Sequence, residues 1–292
     1  MERFGMTSAR AKFVSLICCA LSAILAFSAH AQVTKDIERT GGPYVATPQV
    51  VVDQMLRFAN VGANDYVMDL GSGDGVIVLT AATRLKASGL GVEIDPELVK
   101  LANGEAKKLG VADRANFQVQ DVFKADLSRA SVVTLYLLPG MMANLREKIF
   151  NELRPGARVV SHDYHFGDWQ SQDQMTFDVP EKEKINGVPS ATLYLWIIPA
   201  KVAGRWQVKT EGGDASDLTL RQNFNGITGT QLGARAISNL TLRGTDISFS
   251  VVQGSGRVIY RGRVNGDNMN GTIESAGGKP VRWDAVRVAA QN

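Results

Sequence analysis

Hydrophobic and polar positions divide the chain into two unlike halves. Between Tyr66 and Ser161 short apolar runs alternate with stretches of helical period. The runs Tyr66 to Leu70, Leu90 to Glu93, Phe117 to Val119, Val132 to Leu138 and Arg158 to Ser161 are bounded by turn residues and too short for helices, so they predict buried strands. Ile77 to Leu85, Asp95-Pro96 through Leu109, and Met141 to Leu153 carry helical spacing, with Gly110 closing the second helix as a C-cap glycine. Ahead of them Thr47-Pro48 is expected as N-cap and first helical residue, with Val51, Met55 and Phe58 on one buried face. Two further runs, Met175 to Val179 and Thr192 to Ile198, are separated by Asn186-Gly187 and Pro189 and predict an antiparallel pair. Strand and helix in alternation give an α/β fold, a doubly wound and mostly parallel sheet of seven strands.

After Pro199 the helical period disappears. Leu218 to Phe224, Ile237 to Leu242, Ile247 to Val252, Val258 to Val264 and Asn270 to Ser275 are short β-rich runs, punctuated by Asn225-Gly226, Asn265-Gly266 and Asn270-Gly271. Asn-Gly is a strong hairpin signal, because both central positions of the tight turn need positive φ. The expected organisation is an α/β domain over 40–200, followed by a small all-β C-terminal domain over 204–292, an antiparallel barrel or sandwich.

The N-terminus follows neither pattern. Arg3, Arg10 and Lys12 precede an unbroken apolar run from Phe13 to Ala29, and Ala29-His30-Ala31 places small residues where a signal peptidase reads. Residues 1–31 therefore have the form of a secretory signal peptide, which addresses the rest to the periplasm or outside the cell. The run 13–29 is also just long enough to remain as a membrane anchor. Cys18 and Cys19 both lie in this segment, so a chain starting at Gln32 has no cysteine for a disulfide, a thiolate nucleophile or a metal site. Its loss also removes Arg3, Arg10, Lys12 and Glu2, lowering the net charge from +3 to +1. Nothing in that balance indicates a basic surface, which argues against a nucleic-acid partner.

The most informative stretch is Val67-Met68-Asp69-Leu70-Gly71-Ser72-Gly73-Asp74-Gly75, a strand running into three alternate glycines. Without a Cβ these positions accept positive φ and let a ligand lie on bare backbone. A dinucleotide fingerprint needs G-x-G-x-x-G, but Val76 stands at the third glycine, and no Gly-Lys-Ser/Thr follows to make a phosphate loop. The D-x-G-x-G-x-G pattern instead resembles the first motif of class I S-adenosylmethionine-dependent methyltransferases, whose sheet is Rossmann-like. Pro43-Tyr44-Val45-Ala46-Thr47-Pro48, Gly91-Val92-Glu93, Met141-Met142, Glu152-Leu153, Ala157-Arg158-Val159 and Trp169 extend the likeness. Together they resemble the protein-lysine methyltransferases that modify the c ring protein of ATP synthase and the adenine nucleotide translocase, with their bacterial relatives. Val76 departs from that group, which usually carries a basic residue there, and so do the β-rich tail and the leader.

The resemblance implies S-adenosylmethionine as cofactor, held by Asp69, Gly71, Ser72, Gly73, Gly75, Glu93 and Asp121. Glu93 would accept from the ribose hydroxyls, Asp121 from the adenine amine, and Asp69 would lie near the methionine amino group. It also implies a protein or small amine as substrate, with a membrane-associated protein among the candidates. Lysine has a free pKa near 10.4, so neutralising it at pH 7 costs about 4–5 kcal/mol. The catalytic candidates for that task are Tyr44, His162, Asp163 and His165, beside Tyr164, with Tyr44 and Trp169 as aromatic walls. His-x-x-His with no cysteine is a poor metal set, and none is expected. Leu137-Leu138-Pro139-Gly140 after the fourth strand is not the Asn/Asp-Pro-Pro-aromatic of nucleic-acid and glutamine amino-methylases. Two other readings stand beside the enzyme: a translocated binding or accessory protein that keeps the fold without catalysis, and a nicotinamide-dependent dehydrogenase, disfavoured by Val76.

Overall fold

In the computed structural model, which describes residues 44–253 and 256–288, two β-sheets follow one another along the chain. The leader read at 1–31 and the anchor alternative at 13–29 lie outside the described residues. Helix α1 (Gln49–Phe58) precedes β1 (Tyr66–Leu70), α2 (Val76–Leu85), β2 (Ser88–Glu93), α3 (Pro96–Lys108) and β3 (Ala115–Val119). Then come a 3-10 turn (Val122–Lys124), β4 (Val132–Leu135), α4 (Pro139–Glu152), β5 (Arg158–His162), β6 (Asp173–Asp178), α5 (Pro180–Asn186) and β7 (Ser190–Ile197). The strand order is β3-β2-β1-β4-β5-β7-β6, parallel except where β7 runs against both its neighbours. This is a Rossmann-like sheet.

The continuous apolar strands are explained by burial on both faces. Met68, Val133 and Val159 point into a core with Met142, Leu145 and Ile149 of α4. Their neighbours Val67, Val132 and Val160 point the other way, into a core with Val51 and Met55 of α1 and Ile77 of α2. Each such side chain, fully withdrawn from water, contributes about 1.5–3 kcal/mol. The strand order reverses between β1 and β4, and ligands of open α/β sheets bind outside the carboxyl ends of the strands at such a point.

The second sheet comprises β8 (Gly204–Thr210), β9 (Ser216–Asn223), β10 (Gly226–Thr228), β11 (Gln231–Leu232), β12 (Arg235–Arg243), β13 (Asp246–Gln253), β14 (Gly256–Asn265), β15 (Asn268–Ser275) and β16 (Val281–Val288). Antiparallel pairing of β8 with both β16 and β9 closes it into a barrel. Trp206, Phe249, Tyr260 and Trp283 fill the interior, Phe249 stacking on Tyr260 with ring centroids 4.7 Å apart. The tip between β9 and β10 reaches into the first sheet's core, where Phe224 stacks on Trp169 at 4.9 Å and meets Phe150 edge-on.

Several expectations are corrected. Pro48 is the cap residue and not the first helical one, because α1 begins at Gln49 and Thr47 makes no capping bond. The strand expected over Leu90 to Glu93 begins earlier, with Ser88 and Gly89 pairing with Tyr66 and Val67. Asn270-Gly271 is not a hairpin either. It lies within β15, where Gly271 faces Gly262 and a Cβ would collide with the Arg261 carbonyl oxygen. Close strand approach, and not positive φ, is what requires glycine there. Strands β8 and β16 and helix α5 were not anticipated.

Candidate active site

At the end of β1 the chain turns through Gly71, Gly73 and Gly75 at φ 81°, 53° and 85°, a left-handed path that side chains resist. The gaps left by their missing side chains are filled by neighbours. A Cβ on Gly71 would fall 2.8 Å from Leu137, one on Gly73 would collide with the Tyr44 ring, and one on Gly75 would fall 2.6 Å from the Phe117 ring. Gly71 and Ser72 donate to the Val92 carbonyl, and Gly75 caps α2. The loop is thus held against β2 before any ligand arrives.

Carboxylates surround it. Glu93 Oε2 accepts from Gly73 N–H at 2.9 Å, while Oε1 accepts from the N–H groups of Ile94 and Asp95. Glu93 therefore ties the loop to β2, and its remaining acceptor capacity sits on Oε2; this narrows the expected grip on both ribose hydroxyls. Asp121 Oδ1 caps the 3-10 turn through Phe123 N–H, leaving Oδ2 outward, 3.9 Å from Lys124. Asp69 lies buried under the loop, its Oδ1 accepting from Thr134 Oγ1 at 2.6 Å. Burial raises its pKa to about 7, against the Thr134 bond, with the charges of Glu93 and Asp74 adding to the rise. Tyr44 belongs to this same half. Its phenol is bonded to Asp74 and pushed up in pKa, first by burial and then by Asp74 and Glu93.

The ends of β4 and β5 are different in kind. His162 is fully buried, and Tyr136 stacks on it with centroids 4.0 Å apart. Neither ring nitrogen has a hydrogen-bond partner among the described residues, a cost of about 1–3 kcal/mol for a buried polar group. Burial lowers its pKa to about 4, Asp163 opposing and Lys182 assisting, so the ring is neutral. Such an imidazole is a poor base for an ammonium.

Asp163 is held by its neighbours. Its Oδ2 accepts from buried Lys182, which also donates to the Ser190 carbonyl, and Oδ1 accepts from Thr192 N–H at 3.0 Å. Two of its acceptor sites are thus committed to the scaffold, and its charge is matched by the Lys182 ammonium. His165 is exposed, its Nδ1 accepting from Gly167 N–H and its ring edge-on to Tyr194. Trp169 is no site wall: it is buried among Phe166, Trp196 and Phe224.

Sequence reasoning missed Thr134, Tyr136, Leu137, Lys182 and Asn186. Thr134 had a signal, a lone hydroxyl within an apolar strand. Lys182 had none, since Glu181-Lys182-Glu183-Lys184 looks like any solvated helix face.

The model of the ANTKMT methyltransferase domain matches residues 69–173. A protein-lysine N-methyltransferase of Saccharolobus islandicus is 38% identical over 157 residues, covering 53% of this chain and 93% of that protein. The chain belongs to this protein-lysine N-methyltransferase family. It is an S-adenosylmethionine-dependent methyltransferase. The adenine nucleotide translocase lysine N-methyltransferase of Mus musculus is 34% identical over 128 residues, covering 44% of this chain and 56% of its own length. The chain thus spans about half of that vertebrate relative. A crystal structure described as an RNA methyltransferase from Salinibacter ruber with S-adenosyl-L-homocysteine is 47% identical, covering 54% of this chain and 96% of that one with a TM-score of 0.49.

The residues present fit the family's cofactor. Ser72 Oγ is buried without a hydrogen-bond partner among the described residues, beside a loop of bare backbone. Asp69, Asp74 and Glu93 give that loop the negative field a cationic ligand requires. Held by these residues, S-adenosylmethionine would supply an electrophilic methyl group on a sulfonium. The chain's own contribution is to hold, orient and desolvate the two partners.

Proposed function

We propose that this methyltransferase modifies the amine of a protein lysine. The observation that carries this is the coverage of 93% of a protein-lysine N-methyltransferase at 38% identity. The electrostatics of the strand ends support it. Asp69 and Glu93 favour positive charge on the cofactor side, whereas buried His162 stays neutral and Asp163 is already matched by Lys182. An ammonium brought in unpaired would lose its hydration with little in return, so a lysine enters as the free amine.

The geometry supports the following roles. Glu93 and Asp121 orient ribose and adenine with their uncommitted oxygens, Asp69 faces the methionine ammonium, and Gly71, Ser72, Gly73 and Gly75 supply the floor. Tyr44 covers that floor. His162 and Asp163 shape the surroundings of the amine. The leader supports export to the periplasm, and the name of the mouse relative, with a translocase as its target, supports a membrane protein as substrate. N-terminal sequencing of native protein should begin at Gln32; retention of Met1 would leave the anchor. Full-length protein should bind S-adenosylmethionine saturably in calorimetry and transfer its methyl group to poly-L-lysine. Binding without transfer to any lysine-bearing protein would defeat the substrate assignment and leave the cofactor assignment intact.

A further inference from the structure

The hairpin tip that joins β9 to β10 carries a large ring where the backbone disfavours one. Gly226 pairs with Asn223, so the two turn residues are Phe224 and Asn225, and Phe224 sits at φ 51°. Left-handed backbone is a strained place for a bulky side chain, whereas glycine takes it freely. A ring that served the barrel alone would join Trp206 and Phe249 in the barrel's own core. This one leaves it and is buried in the core of the first sheet. Two elements grip it there. Arg146 of α4 lies over its face at 4.9 Å, and Phe150, one turn on, meets it edge-on. Trp169, in the segment between β5 and β6, stacks on it, and Asp168 of that segment is ion-paired to Arg146. Asn225 adds a hydrogen bond to the Gln170 carbonyl at 2.9 Å.

The far end of that segment reaches the site. Trp169 stacks on Phe166 at 5.3 Å, and Phe166 follows His165, whose Nδ1 accepts from Gly167 N–H. The ring of Tyr164 lies 6.3 Å from that of Tyr136, and Leu137, next to Tyr136, packs on Gly71 of the cofactor loop. The segment between β5 and β6 thus borders the site on the side away from the carboxylates. The glycine loop is held differently, by Val92, Glu93, Tyr44, Leu137 and Phe117, none of which belongs to the barrel.

We propose that the C-terminal barrel takes part in methyl transfer: Phe224 and Asn225 are positioning residues that fix the segment between β5 and β6, and with it Tyr164 and His165, where the methyl acceptor is received. Cofactor binding does not depend on them. The reading rests on the methyltransferase activity and holds for a lysine or any other acceptor. The backbone strain at Phe224 is retained because burial, stacking and the Arg146 cation together over-determine the ring.

Phe224→Gly keeps the turn, relieves its backbone and removes the ring, so it separates positioning from turn formation. In full-length protein the KM for poly-L-lysine should rise about tenfold, while the KM and the calorimetric Kd for S-adenosylmethionine stay within about twofold of the parent. Phe224→Tyr, which keeps the stacked ring, should restore most of the acceptor KM. Backbone hydrogen exchange should quicken over 164–170 and stay as in the parent over 71–76. A protein that was merely less well folded would instead lose kcat at unchanged KM and exchange faster in both segments. Should Phe224→Gly fail to fold, Asn225→Ala, which removes only the bond to Gln170, should quicken exchange over 164–170 and raise the acceptor KM severalfold. An unchanged acceptor KM, exchange over 164–170 equal to that of the parent, or an equal loss of cofactor affinity would each overturn the proposal. If the parent itself leaves poly-L-lysine unmethylated, the lysine assignment fails, and the barrel's role then stands or falls on faster exchange over 164–170 with cofactor affinity kept.

Discussion

The two halves of the site treat their buried ionisable groups in opposite ways. Under the glycine loop, Asp69 has its pKa raised to about 7 by burial and by the nearby charges of Glu93 and Asp74. Beyond Leu137, His162 has its pKa lowered to about 4, and the adjacent Asp163 charge is cancelled by Lys182. One half carries an excess of acid that a cation relieves. The other is already balanced, so a second cation has nothing to meet. That difference suits a reaction in which a sulfonium must be held beside an amine that has already lost its proton.

The sharpest way to break the comparison is to damage one half alone. Gly75 combines φ 85° with a position where a Cβ would lie 2.6 Å from Phe117 and 2.9 Å from Ala102. Gly75→Val should destabilise the protein by about 2–6 kcal/mol, from backbone strain and overpacking together, and cofactor binding should be lost. Urea unfolding measures it. A variant as stable as the parent would mean that the loop is not locked by this packing.

A milder change at Glu93 separates the halves more cleanly. Glu93→Ala leaves Gly73, Ile94 and Asp95 N–H groups without their acceptor and removes a charge facing the cofactor. S-adenosylmethionine should bind more weakly by about 1–3 kcal/mol in calorimetry, while the pH dependence of stability that His162 contributes stays as it was. A change in that slope would show that the halves are not independent.

The same contrast explains what was legible in the sequence. The cofactor half is built from a local pattern, glycines at alternate positions after an apolar strand and acids at the ends of the next two, and each lies within a few residues of an element boundary. Period and turn chemistry are enough to find them. Tyr136, His162 and Lys182 come from three separate elements, and only the order β4-β5-β7 brings them together. Lys182 is buried although its neighbours in α5 are exposed, which no hydropathy pattern announces. In the barrel, Asn265-Gly266 does mark a tight turn, since Asn265 pairs with Asn268, but Asn270-Gly271 marks a close strand crossing. The same dipeptide has two physical causes, and sequence alone does not separate them. Strand β8 did carry its signal, Trp206 and Val208 alternating inward, and β16 carried a similar one in Trp283 and Ala285.

The smallest effect is the most specific, because its sign differs between the halves. Between about pH 4 and 7 folded protein keeps a proton on Asp69 that the unfolded chain has released, so this residue makes stability fall as pH rises. Between about pH 4 and 6.5 the unfolded chain carries a proton on His162 that the folded protein rejects, so this residue makes stability rise with pH. In the parent the two slopes oppose each other. Asp69→Asn removes the falling one and should leave stability climbing between about pH 4.5 and 6.5, by at most about 1.4 kcal/mol per pH unit. His162→Gln should do the reverse, with stability falling across the same interval. Asp65, where burial is outweighed by Ser131, Gly62 N–H and Arg158 so that its pKa drops, adds the same slope to all three proteins and cancels in the comparison. Saturating S-adenosylmethionine brings positive charge to Asp69 and should flatten its contribution in the parent while leaving the His162 slope in place. Urea midpoints at three pH values measure all of these. If both variants tracked the parent, neither buried group would hold the protonation state that the structure assigns it, and the electrostatic division of the site would fail.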